Sequence, residues 1–236
     1  MRIVVFGANG PTGRLVVDQA AAAGHVVTAV TRHPDGFPTS GVRVLGGDVL
    51  DPAFAMRAIE GQDAVLSVLG VPFGRRPVTV YSTGIANILA GMRAHGVRRL
   101  ACVSSSATDP SAGAHGGFFF ERVLQPIIVN TIGRTVYADM RRMEALVRTT
   151  DLDWTIVRPS GLFDAPAVSD YRIGENHVAG KFTARADLAA VLVRQVDDDA
   201  YVRRILAVST AEGEPSLGET IMREAFGRRA SVSHAG

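Results

Sequence analysis

Near its amino terminus the chain runs from an apolar strand into a glycine-punctuated turn and then a helix start. The residues are Arg2-Ile-Val-Val-Phe6, Gly7-Ala-Asn-Gly-Pro-Thr-Gly13 and Arg14-Leu-Val-Val17. Strand, tight glycine loop and helix in that order form the opening of a βαβ unit that receives a dinucleotide diphosphate. Gly7 permits the sharp turn, Gly10 lets the backbone come close to the phosphates, and Gly13 lets the new helix pack on the strand. The helix presents its free N–H groups and positive dipole end to the anion. Gly7, Asn9, Gly10, Pro11, Thr12 and Gly13 are therefore candidate cofactor-binding residues.

Further along, apolar runs alternate with helical patterns at the rhythm of a parallel sheet. Strands are expected over 26–30, 42–45, 64–69, 99–103, 154–157 and 204–208. Helices are expected over 13–23, 52–60, 78–95, 118–149 (broken near Pro126) and 187–195. Asp51 followed by Pro52 is a good N-cap with proline at the first helical position, and Gly96 is a usual helix stop. The stretch 160–182 reads as loop, and one more helix is expected near 219–226. Parallel strands need right-handed crossovers, which place helices on both faces of the sheet. The fold class expected is α/β, a doubly wound parallel sheet with a small irregular C-terminal cap. We read 1–236 as one domain: a nucleotide-binding core over 1–158, a substrate-side cap with the last strand over 159–210, and a C-terminal segment over 211–236.

Composition excludes several function classes. With 47% apolar and 20% charged residues in 236, the chain suits one substantial core. A formal net charge of +2 gives no argument for nucleic acid. Cys102, the one cysteine, allows neither a disulfide framework nor a zinc cluster, and no metal site is expected. No run approaches the roughly 20 apolar residues of a membrane span. The nearest, 118–132, is interrupted by Glu121, Arg122, Gln125 and Asn130. The first apolar residues lead into glycines rather than a cleavable leader, and the chain reads as cytoplasmic, a monomer or homodimer.

The second strand ends in Thr31-Arg32-His33, where an NAD site carries an acidic residue for the ribose 2′-hydroxyl. An arginine there meets the NADP 2′-phosphate instead, through a charge-assisted and often bidentate pair. Arg32 thus points to NADP(H), and Arg14 is placed to add positive charge. Asp48 and Val49 after the third strand, and Leu69 and Gly70 at the end of the fourth, are further cofactor candidates, since ligands bind at the carboxyl ends of such strands.

Several motifs together resemble the atypical short-chain dehydrogenase/reductases. They are the glycine loop, Gly47-Asp-Val49, Ser82-Thr-Gly-Ile-Ala-Asn87, Ala94-His-Gly-Val97, Ser104-Ser105, Leu152-Asp-Trp-Thr-Ile-Val-Arg-Pro159 and Ala184-Arg-Ala-Asp-Leu-Ala189. Within that group the chain is most similar to the NAD(P)H-binding, biliverdin-reductase-B or flavin-reductase-like branch, beside the nitrogen-metabolite-repressor-like redox sensors. The resemblance implies an NAD(P)-binding Rossmann fold.

Such dehydrogenases pair a serine after the fifth strand with Tyr-x-x-x-Lys on the next helix. The lysine cation favours the phenolate of a tyrosine whose ordinary pKa is about 10. Here the segment reads Tyr137-Ala-Asp-Met-Arg141, so arginine stands in the lysine position. Arginine supplies charge but not the same geometry. Spacing of i to i+4 puts Tyr137 and Arg141 on one helix face. Ser104, Tyr137 and Arg141 are the catalytic candidates, with Ser104 also placed to bond the nicotinamide amide. Flavin-reductase-like relatives pass hydride to a flat conjugated acceptor without the tyrosine relay, so the protein need only position two rings. The resemblance therefore implies an NADPH-dependent oxidoreductase acting on a small planar acceptor: a flavin, quinone or tetrapyrrole-like molecule. The alternative is a non-catalytic NADP(H)-binding redox sensor. A sugar-nucleotide epimerase is disfavoured by the short region after Pro159.

Overall fold

In the computed structural model, residues 1–38, 41–72, 74, 76–109 and 133–211 are described. Positions 110–132 and 212–236 lie outside them, and with them the expected Pro126 break and the helix near 219–226.

The chain alternates as expected. Strand β1 (Arg2–Phe6) leads to α1 (Pro11–Ala22), β2 (Val26–Thr31) and β3 (Arg43–Gly46). Helix α2 (Pro52–Ile59) is followed by β4 (Ala64–Ser67), α3 (Val80–His95) and β5 (Arg99–Val103). After a 3-10 turn (Ser106–Thr108) and the undescribed stretch come α4 (Arg134–Arg148) and β6 (Asp153–Pro159). Three short strands follow, β7 (Gly161–Phe163), β8 (Tyr171–Glu175) and β9 (Phe182–Ala184), then α5 (Arg185–Arg194) and β10 (Arg204–Thr210).

The main sheet has the order β3-β2-β1-β4-β5-β6-β10-β8. All its pairs are parallel except β10 with β8. The chain order reverses between β1 and β4, which is the switch point where doubly wound sheets bind ligands. Alternation along β1 explains the two layers. Ile3 and Val5 pack with Val16, Val17, Ala20, Leu188 and Leu192 of α1 and α5, while Val4 and Phe6 face Ile59, Ile85, Ile88 and Met92 of α2 and α3. A strand buried on both faces reads as a continuous apolar run, as Ile3–Phe6 of β1 and Ala64–Leu66 of β4 do, while β2 admits the buried Thr28.

Several boundaries differ from the sequence expectation. Helix α1 begins at Pro11 rather than residue 13, because proline at N1 loses no hydrogen bond and Gly13 is needed inside the first turn. Strand β4 ends at Ser67 and α3 begins at Val80, so the connection between them is longer than expected. The stretch 160–182 is not all loop. Its β8 pairs antiparallel with β10, Gly174 opposite Ala207, and β7 pairs with β9 in a separate two-stranded sheet. Strands of three to five residues with partners distant in sequence leave little alternation to read.

Candidate functional site

The register brings the expected cofactor residues to one edge. Phe6 lies opposite Val30 and Ser67, so the turns after β1, β2 and β4 leave the sheet side by side. Gly7 has φ +81°, and a side chain there would meet the Val68 carbonyl oxygen at 2.4 Å. Gly13 is tighter still, since an added Cβ would stand 2.1 Å from the Gly7 carbonyl oxygen. The loop closes through Gly10 N–H to the Gly7 carbonyl (3.1 Å) and Arg14 N–H to the Gly10 carbonyl (3.0 Å). Gly10 is the N-cap of α1 and Pro11 its first residue, so no side chain caps the first turn. The first-turn N–H groups of Thr12 and Gly13, with an uncovered approach at Gly70 where a Cβ would meet nothing within 4 Å, fit a diphosphate.

Arg32 is exposed directly after β2 and makes no ion pair among the described residues. Arg14 does not share that freedom, because its Nε and Nη2 both donate to Asn9 Oδ1, at 3.0 and 2.7 Å. The pair fixes the shape of the loop. Asp48 accepts the Leu50 N–H at 2.9 Å through Oδ1. Val49 is buried, with its carbonyl taking a hydrogen bond from Asn87 Nδ2. Leu69 is half-buried against the α2–α3 layer.

The three catalytic candidates are not equally placed. Ser104 does follow β5, but it is 2% exposed and its Oγ donates to Glu144 Oε1 at 2.6 Å. That hydroxyl proton is therefore committed within the protein rather than to the crevice. Tyr137 is half-buried and borders the α3 layer, whereas Arg141, one turn later, is exposed.

Glu144 was not legible as a site residue and proves to be the centre of a buried ionic cluster. Arg158, at the end of β6, donates to it through Nε (2.9 Å) and Nη2 (2.6 Å), and Thr108 Oγ1 does so at 3.1 Å. Arg158 Nη1 also meets Asp109 at 3.2 Å. Burial opposes the Arg158 charge, but Glu144 and then Asp109 outweigh it and hold the pKa above the ordinary value. The cluster ties α4 to the carboxyl ends of β5 and β6. A second buried carboxylate, Asp139, accepts the Tyr81 and Ser82 N–H groups at 2.9 and 3.3 Å and so caps α3 from outside. The sequence signal for both was an acidic residue inside the apolar stripe Val136, Met140, Met143, Val147 of α4. Burial pushes the Cys102 thiol well above its ordinary value, so it is inert. Among the described residues no group of acids, histidines or cysteine is arranged to hold a metal, and no helix is long and apolar enough to cross a membrane.

Comparison with known proteins agrees with this geometry. A family model for NAD(P)H-binding proteins matches residues 7–199. The chain belongs to that family. It is 27% identical over 177 residues to an uncharacterised chloroplastic protein of Arabidopsis thaliana, covering 70% of this chain and 60% of the relative's length. Among solved structures it is similar to the oxidoreductase ylbE of Lactococcus lactis (TM-score 0.74, 18% identity, 97% of both chains). It is also similar to ChuY, an anaerobillin reductase of Escherichia coli O157:H7 (TM-score 0.71, 20% identity, 92% of this chain and 100% of that one). At such identities the likeness is one of fold, a Rossmann-type NAD(P)-binding sheet. The family match makes the cofactor class a nicotinamide dinucleotide.

Proposed function

We propose that the protein is an NADPH-dependent reductase that delivers hydride to a small planar acceptor, a flavin, quinone or tetrapyrrole-like molecule. The observation that carries this reading is an open glycine loop with an exposed Arg32, at the adjacent strand end, that makes no ion pair among the described residues. Gly7, Gly10, Thr12 and Gly13 hold the diphosphate, with Asn9 and Pro11 shaping the loop. Arg32 takes the 2′-phosphate. Asp48, Val49, Leu69 and Gly70 line the neighbouring turns. A bound nicotinamide supplies the hydride.

The acceptor class follows from what the side chains have left to offer. The Ser104 hydroxyl donates to Glu144, and Arg141 is exposed while Tyr137 is half-buried. A carbonyl substrate needs a proton relay at its oxygen, whereas a conjugated ring system takes its proton from solvent and needs only alignment. On this reading Ser104 positions the end of β5, and Tyr137 flanks the acceptor with Arg141 beyond it. The fold likeness to ChuY supports an acceptor of this kind. The reading takes the chain as one domain, acting in the cytoplasm as a monomer or homodimer.

The arginine in the relay position also favours a second reading, a sensor that binds NADP(H) without turnover. Steady-state assays with NADPH and a panel of flavins, quinones and linear tetrapyrroles separate the two. Turnover of at least one acceptor is expected. Tight NADPH binding with no consumption across the panel favours the sensor and removes the reductase.

A further inference from the structure

Arg185 stands at the first position of α5, yet its guanidinium reaches the first turn of α1. Nη1 lies 3.4 Å from Thr12 Oγ1, and Nε donates to Asp164 Oδ1 at 2.9 Å. Thr12 belongs to the glycine loop, and α5 is pinned beside α1 by Gln19 Nε2, which donates to the Ala186 carbonyl at 3.1 Å. A residue far from the loop in sequence thus places a permanent positive charge at its rim.

The acidic residue of the same turn, Asp187, is buried and accepts from Ser169 and Thr210. A cation in the first turn of a helix opposes the dipole of that helix, and the first turn of α1 adds a second positive end close by. The present partner is a weak one, because the Asp164 side chain is 76% exposed while that of Arg185 is 25% exposed. An exposed carboxylate gains little from such a pair. A phosphate oxygen offers the guanidinium a stronger, charge-assisted and potentially bidentate acceptor.

We propose that Arg185 is a diphosphate-binding residue of the cofactor site, releasing Asp164 to clasp the dinucleotide from the cap side over Thr12. This rests on the dinucleotide reading above. It makes the cap, through β7, Asp164 and α5, part of cofactor recognition rather than of acceptor recognition alone. The same cationic group is also suited to an acceptor carboxylate, and the experiment separates the two sources.

Wild type, Arg185→Ala, Arg185→Lys and Asp164→Asn are titrated calorimetrically with NADPH and with ADP-ribose 2′-phosphate, which keeps the diphosphate but lacks nicotinamide. Arg185→Ala is expected to raise Kd for both ligands by about tenfold or more, as befits loss of a hydrogen bond to a charged group. Arg185→Lys is expected to restore part of the loss. Asp164→Asn, which removes the competing carboxylate, is expected to tighten both ligands, and it decides the matter if the alanine variant does not fold. Unchanged affinity for ADP-ribose 2′-phosphate in Arg185→Ala, with the loss confined to KM for an acceptor, overturns the proposal in favour of a carboxylate site. Unchanged or weaker binding in Asp164→Asn overturns it as well. A wild-type protein that binds neither NADPH nor ADP-ribose 2′-phosphate removes the dinucleotide reading itself, a result distinct from either of these.

Discussion

An added methyl group at Gly13 would come within 2.1 Å of the Gly7 carbonyl oxygen and 2.9 Å of the Ala8 backbone. Neither contact is with a flexible side chain, so the start of α1 must shift away from β1 to accept it. Gly13→Ala is therefore expected to destabilise the fold by about 1–3 kcal/mol, the usual cost of overpacking. In a chain of this size that lowers Tm by several degrees, and a thermal melt unchanged from wild type would show that the close approach is not rigid. Arg32 and Arg14 illustrate how differently two arginines read in sequence turn out. Both flank the same loop, but Arg14 is held by Asn9 and Arg32 is held by nothing described. Identity and position on a motif were legible; the local hydrogen bond that commits one of them was not.

At the scale of elements, strand and helix identities followed from apolar runs, Pro52 behind Asp51, and Gly96 with φ +69° as the α3 stop. These signals are local, and the chain obeys them. The parts that escaped depend on distant partners. Strands β7 and β9 exist because each lies beside the other, and β8 because β10 lies beside it, and no short window of sequence records that. The Glu144–Arg158 pairing escaped for the same reason: the apolar stripe of α4 marks Glu144 as buried, but its partner is met only where α4 crosses the end of β6. Both side chains are 6% exposed and joined at 2.6 Å, so Glu144→Gln leaves a buried guanidinium short of charge. Breaking such a pair from one side costs about 3 kcal/mol or more. Urea unfolding should show that loss as a lower midpoint at constant slope. A midpoint within experimental error of wild type would mean that Asp109 alone satisfies Arg158.

Across the whole molecule, the sheet order places every expected cofactor residue at one edge, on either side of the β1–β4 reversal. The fold was legible in the sequence because a parallel sheet with right-handed crossovers leaves few ways to arrange these strands. The candidate site was legible on its nucleotide side, where a glycine loop has a fixed backbone chemistry. It was much less so on the acceptor side, where Ser104 faces Glu144 rather than the crevice. In the proposed function the amino-terminal loop holds the diphosphate of a dinucleotide whose 2′-phosphate is met by Arg32. Calorimetric titration of wild type and Arg32→Ala with NADPH and NADH tests that claim most directly. We expect NADPH to bind wild type more tightly than NADH, and Arg32→Ala to weaken NADPH by about tenfold to a hundredfold, as for loss of a charge-assisted bond, with NADH nearly unaffected. Equal losses for both dinucleotides would contradict the role of Arg32, and no binding of either to the wild-type protein would contradict the account as a whole.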